Sequence, residues 1–223
     1  QTRIGNLICP SDVASPTRLD GDPQPSAWST TWSATIAAIT DYSPITAVDS
    51  RLVTAGLVDG DSNSIQKGIL IKNETVTLAA VTDGLSNTIM YAESSGRPFV
   101  YRKGAKLIGT VPASLINGGG WSRPASDFAL YGSSADGSVT PGPCPLNCTN
   151  GVDVGGQKWD TTTGGYPYYL ADGTGAPYSF HPGGANFLLG DGSVKFIKDT
   201  IPIRTFAKLI TRGGGEAVSA DAY

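Results

Sequence analysis

Apolar and polar positions alternate most regularly near the C-terminal end of the chain. ANFLL (185–189) and SVKFIK (193–198) flank Gly190-Asp191-Gly192, which predicts a β-hairpin turning on those three residues. Beyond it the period lengthens. Ile203, Phe206, Ala207 and Ile210 recur at i, i+3, i+4 and i+7, the apolar face of a short helix over about 201–212. Pro202 suits its first turn, Thr200 a cap, Arg212 the negative end and Gly213 a left-handed stop.

Upstream, residues 30–57 are rich in β-branched side chains, with Trp32, Ile36, Ile39 and Tyr42 as inward anchors. A helix over 31–39 is the alternative, but the threonines favour extended chain. DGDSNSIQ (59–66) is a polar turn. Three strand-like runs come next at 68–72, 75–80 and 87–93, with Asp83-Gly84 turning between the last two. Residues 9–30 and 109–180 are irregular, the second stretch interleaved with Tyr and Trp that pack loops back on the body. No fixed-period repeat and no linker breaks the chain, so residues 1–223 read as one domain with an extended, irregular N-terminal segment over 1–30.

Composition turns this into a β-dominated α+β expectation: an antiparallel sheet, long loops and a short C-terminal helix. Charged residues make up 16% of the chain against roughly 25% in typical soluble domains, and 29 glycines and 15 prolines take their place. Nine Tyr, six Phe and four Trp supply enough apolar anchors for a packed body. A net charge of −3 without a basic run excludes nucleic acid as a partner. No window of about 18 apolar residues is present, so nothing in the sequence reads as a membrane span.

Candidate chemistry is sparse. No G-x-S-x-G, H-E-x-x-H or phosphate-binding loop occurs, and His181 is the sole histidine. His181 is set in a Pro182-Gly183-Gly184 bend that can aim it as a base, or can simply pin a loop, with Asp191 across the hairpin as the natural acceptor. Cys144 and Cys148 can close a short disulfide loop; free thiols are the alternative, and a tetrahedral metal site lacks ligands. Cys9 is left over, its pairing open. Asp59, Asp61 and Asn63 alternate oxygens like the start of a calcium loop. Leu70 stands where the bidentate Glu belongs, so a polar turn competes with calcium there. Sequons at Asn73 and Asn147 are candidate glycan acceptors.

Four stretches together resemble one family. LICPSD (7–12), VTDGLSNTIMYAE (81–93), FHPGGANFLLGDGSVKFI (180–197) and LITRGGGEAVSADAY (209–223) are similar to the prepilin-like proteins of planctomycete bacteria. Their C-terminal His-x9-Asp-Gly signature is here His181, nine residues, then Asp191-Gly192. The resemblance implies the globular head of a pilin or pseudopilin. The sequence departs from that pattern in lacking the long apolar N-terminal helix, so assembly contacts are expected from the head itself. Residues 1–12 adding as a strand to a neighbour, exposed strand edges and the Tyr-rich loops are the candidates.

The expected function is a non-enzymatic, exported structural subunit of an extracellular or cell-surface filament, with copies of itself or other pilin-like chains as partners. A surface carbohydrate-binding module using Trp121, Trp159, Tyr166, Tyr168 and Tyr169 is the second expectation. An exported hydrolase using His181 or scattered carboxylates is the third.

Overall fold

A computed structural model describes residues 2–22, 33–64, 66–110, 114–123, 126–153, 174–215 and 218–219 of the chain. These residues are β-dominated. Their strands are β1 (Leu19–Asp22), β2 (Ser33–Ala38), β3 (Tyr42–Val48), β4 (Gln66–Lys67), β5 (Ile89–Glu93), β6 (Val100–Arg102), β7 (Lys106–Gly109), β8 (Phe128–Leu130), β9 (Gly184–Leu189) and β10 (Val194–Lys198). Two short helices, α1 (Ser50–Thr54) and α2 (Ile203–Lys208), accompany them. The main sheet runs β10-β9-β5-β3-β4, with β8 added parallel to β3; every other described pair is antiparallel. β1–β2 and β6–β7 form two further small sheets.

The hairpin and the helix face expected from the sequence are both present. Leu188 opposes Val194, leaving Gly190-Asp191-Gly192 as the turn, and Gly192 takes the positive φ of 86° that such a loop needs. Ile203, Phe206, Ala207 and Ile210 are all buried against the sheet, where the Phe206 ring meets Phe187 edge-on at 5.3 Å. Ile45, Val48, Ile89, Phe128, Leu130 and Ile197 fill the rest of this core.

Helix α2 is shorter than the 201–212 expected. Pro202, not Thr200, precedes its first turn, and no side chain caps it. It ends at Lys208 because the sheet takes the groups a longer helix needs. Leu209 O accepts from Ile89 N at 2.7 Å, and Arg212 N donates to Lys67 O at 3.1 Å, so Gly213 is not the stop. Of the three predicted strand runs, 87–93 contains β5, but 68–72 turns after the two paired residues of β4. Residues 75–80 are mostly exposed and end in a 3-10 turn at Leu78–Ala80; among the described residues no neighbouring strand is in place to pair with them.

The N-terminal segment is not a loose surface arm. Leu7 O accepts from Asp41 N at 2.8 Å, and Cys9, Arg18 and Asp20 are buried. Arg18 sits under the segment with Asp12 and Asp41 as ionic partners. From Leu7 onward the segment is therefore held by its own chain. Among the described residues no helix is long and apolar enough to cross a membrane.

Candidate functional site

Three distant parts of the chain meet at one end of the main sheet. Cys9 comes from the N-terminal segment, where its backbone N–H donates to Asp41 Oδ2 at 2.8 Å. Glu93 is the last residue of β5, where strand alternation turns its side chain toward the segment. His181 follows an aromatic anchor. Phe180 packs edge-on against Tyr101 at 5.0 Å and Tyr178 at 5.4 Å, and Tyr178 N donates to Glu93 O. The Pro182-Gly183 bend then reverses the chain into β9. Gly184 has no room for a side chain there, since a Cβ would sit 2.3 Å from Ile197 O.

The donor atoms lie close together. Cys9 Sγ is 3.6 Å from Glu93 Oε1 and 3.6 Å from His181 Nε2, and Nε2 is 3.4 Å from Glu93 Oε1. Each is held from behind. Asn186 of β9 donates its backbone N–H to Glu93 Oε2 at 2.6 Å and its amide to Oε1 at 3.3 Å. His181 Nδ1 pairs with Ser11 Oγ at 3.1 Å. Cys9 and Glu93 are buried, while the His181 side chain is 29% exposed and forms the solvent side of the cluster.

Electrostatics set the thiol against ionisation. Burial first, then the charges of Glu93 and Asp41, push the Cys9 thiol above its usual value, against one backbone N–H from Ser11. Burial and then Asp12 push Asp41 up to about 7, with Arg18 pulling the other way. An activated cysteine nucleophile needs the reverse, a depressed thiol in a partly open site. The relay geometry is also wrong: in a triad the carboxylate holds the ring nitrogen far from the nucleophile, whereas Glu93 and Cys9 both face Nε2. Sulfur, imidazole nitrogen and carboxylate oxygen are, on the other hand, three donor types that divalent transition metals accept.

The other expected site residues fall elsewhere. Asp191 is not the acceptor for His181. It lies past the far end of β9, about 20 Å away along a six-residue strand, where its carboxylate accepts from Ser193 N and Oγ and shapes the turn. Asp59 engages Arg204, and Asp61 accepts from the Asn63 N–H and amide within a turn. Cys144 and Cys148 are joined in a disulfide, and Cys9 is free. Asn73 is exposed in a turn. Asn147 is buried, with Nδ2 donating to Gly184 O at 3.0 Å and Oδ1 accepting from Ser179 N at 2.8 Å, which removes it as a glycan acceptor in the folded chain. Trp121 is 38% exposed, but its indole N–H is bonded to Thr2 O. Trp159, Tyr166, Tyr168 and Tyr169 lie outside the described residues.

No local motif singles out Glu93, Ser11 or Asn186, and the sequence expectations did not include them. A signal was available: these residues, with Cys9 and His181, sit in three of the stretches that carry the family resemblance, and those stretches converge here.

A family model described as "Protein of unknown function (DUF1559)" matches residues 1–204, and the chain belongs to that family. No curated protein and no solved structure matches it.

Proposed function

We propose that this DUF1559 chain is a non-enzymatic structural subunit of an extracellular or cell-surface assembly, built from copies of itself or of related pilin-like chains. The open edge at β10 carries the proposal. Among the described residues β10 pairs only with β9, which makes it the outermost described strand of the main sheet and the edge at which another strand would add. Val194 and Phe196 stand on that edge 64% and 45% exposed. A second open edge lies at β7, which among the described residues pairs only with β6 and exposes Leu107 and Ile108 at 49% and 45%. Two different exposed edges on one body favour a head-to-tail contact, which propagates into a filament unless its rotation closes a ring. The Cys144–Cys148 disulfide supports an oxidising, exported setting.

The test is sedimentation and electron microscopy of the protein across a concentration series. Wild type forms regular polymers or defined oligomers, and Val194→Lys combined with Leu107→Lys returns it to monomer, since neither side chain belongs to the core. A monodisperse monomer at high concentration overturns the proposal.

A further inference from the structure

We infer that Cys9, Glu93 and His181 form a binding site for one zinc ion, which clips the N-terminal segment to β5 and to the bend before β9. Geometry makes the case. A zinc ion in tetrahedral angles, about 2.3 Å from sulfur and about 2.0–2.1 Å from nitrogen and oxygen, spaces its ligands about 3.5 Å apart for the S–N and S–O edges and about 3.3 Å for N–O. The edges in this protein are 3.6, 3.6 and 3.4 Å. The three atoms are therefore already spaced as the corners of such a site.

The surroundings match what a metal site needs behind its ligands. With the Nδ1–H of His181 donating to Ser11 Oγ, Nε2 presents its lone pair to the other two donors. Asn186 fixes both oxygens of Glu93, and Asp41 fixes the backbone of Cys9. His181, the exposed member, gives an entry path from solvent, and water completes the fourth position. The donor set also selects among cations. Thiolate sulfur with imidazole suits zinc and its neighbours, whereas calcium and magnesium take oxygen alone. Without a cation the site brings a buried thiol against a buried carboxylate; with one, the thiol loses its proton and both charges are neutralised. Whether the chain polymerises has no bearing on this site.

The experiment uses the chain with its Cys144–Cys148 disulfide intact and Cys9 reduced, stripped of metal and titrated first with Co²⁺ and then with Zn²⁺. One Co²⁺ per chain is expected to bind with thiolate-to-metal charge transfer and the visible absorption of tetrahedral cobalt, and one Zn²⁺ displaces it. Proton release accompanies binding, and the melting temperature rises with Zn²⁺. X-ray absorption on the zinc-loaded wild type shows one sulfur at about 2.3 Å and nitrogen or oxygen at about 2.0–2.1 Å. Cys9→Ser and His181→Ala each weaken binding by at least the about 100-fold that loss of an outer partner alone can reach. No saturable binding, a zinc shell without sulfur, or unchanged affinity in Cys9→Ser overturns the site. Should a variant fail to fold, the X-ray absorption of the wild type decides by itself.

Discussion

Replacing Arg18 with Met probes how the N-terminal segment is held, and its cost can be worked from the contacts. The Arg18 side chain is 2% exposed, and its partners Asp12 and Asp41 are 1% and 0% exposed. Its guanidinium donates to Asp12 Oδ2, to Asp41 Oδ1 at 2.9 Å, to Ser15 O at 2.9 Å and to Arg97 O at 2.7 Å. Met fills similar volume and removes all four bonds. The two carboxylates keep backbone donors, Ala14 N and Gly96 N for Asp12 and Cys9 N for Asp41, and the side-chain hydrogen bond between the two of them. Breaking one side of a buried ion pair costs about 3–5 kcal/mol where the remaining charge stays buried; Asp41, already pushed up to about 7 with Arg18 in place, takes up a proton instead, so a loss at the low end, about 3 kcal/mol, is expected. Arg18→Lys keeps the charge but cannot fork between two carboxylates and two carbonyls, so about half that loss is expected. Urea denaturation followed by circular dichroism at neutral pH measures both variants against wild type. An Arg18→Met change within about 1 kcal/mol of wild type would show that the segment is not anchored through this residue.

Further outcomes rest on single contacts. His181→Ala in metal-free protein loses the Ser11 bond, the Nε2 contacts to Cys9 and Glu93 and the edge contact on Phe196, lowering stability by about 1–2 kcal/mol and the melting temperature with it; an unchanged melting temperature denies the residue any bracing role. Cys144→Ser with Cys148→Ser opens a loop of sequence separation 4 and costs about 2 kcal/mol in thermal unfolding. Gly132→Ala places a Cβ 2.1 Å from Gly142 O at a φ of 58°, so a loss of about 3 kcal/mol or more is expected. Gly183→Ala, at a φ of 78° with open space around it, loses only about 1 kcal/mol; equal losses at the two glycines would refute the steric argument. Burial pushes Tyr178 up to about 12 and raises Tyr101 as well. Unfolded tyrosines ionise near 10, so between pH 10 and 12 the unfolded chain releases protons the folded chain keeps. Stability should therefore fall with pH in that window, by at most about 1.4 kcal/mol per unit for Tyr178, and flat urea midpoints from pH 9 to 11 would contradict it.

The sequence by itself determined the local events. Alternation on either side of Gly190-Asp191-Gly192 made the β9–β10 hairpin legible, because side chains facing opposite sides of a strand write their period directly into the chain. The spacing of Ile203, Phe206, Ala207 and Ile210 likewise revealed the buried face of α2. Only the tertiary structure decided the rest. TVTLAA (75–80) has strand composition yet stays mostly exposed, because a strand depends on a neighbour and none of the described strands lies beside it. Helix α2 stops early because Leu209 O and Arg212 N are taken by other parts of the chain. His181 and Asp191 look like partners ten residues apart, but an extended β9 carries them to opposite ends of the hairpin. The partners His181 does have are distant in the chain: Cys9 is 172 positions away, and Glu93 is 84 from Cys9. No local period encodes such a meeting. It arises when β5 pairs with β9 and the Arg18 ion pairs draw the N-terminal segment across the sheet end.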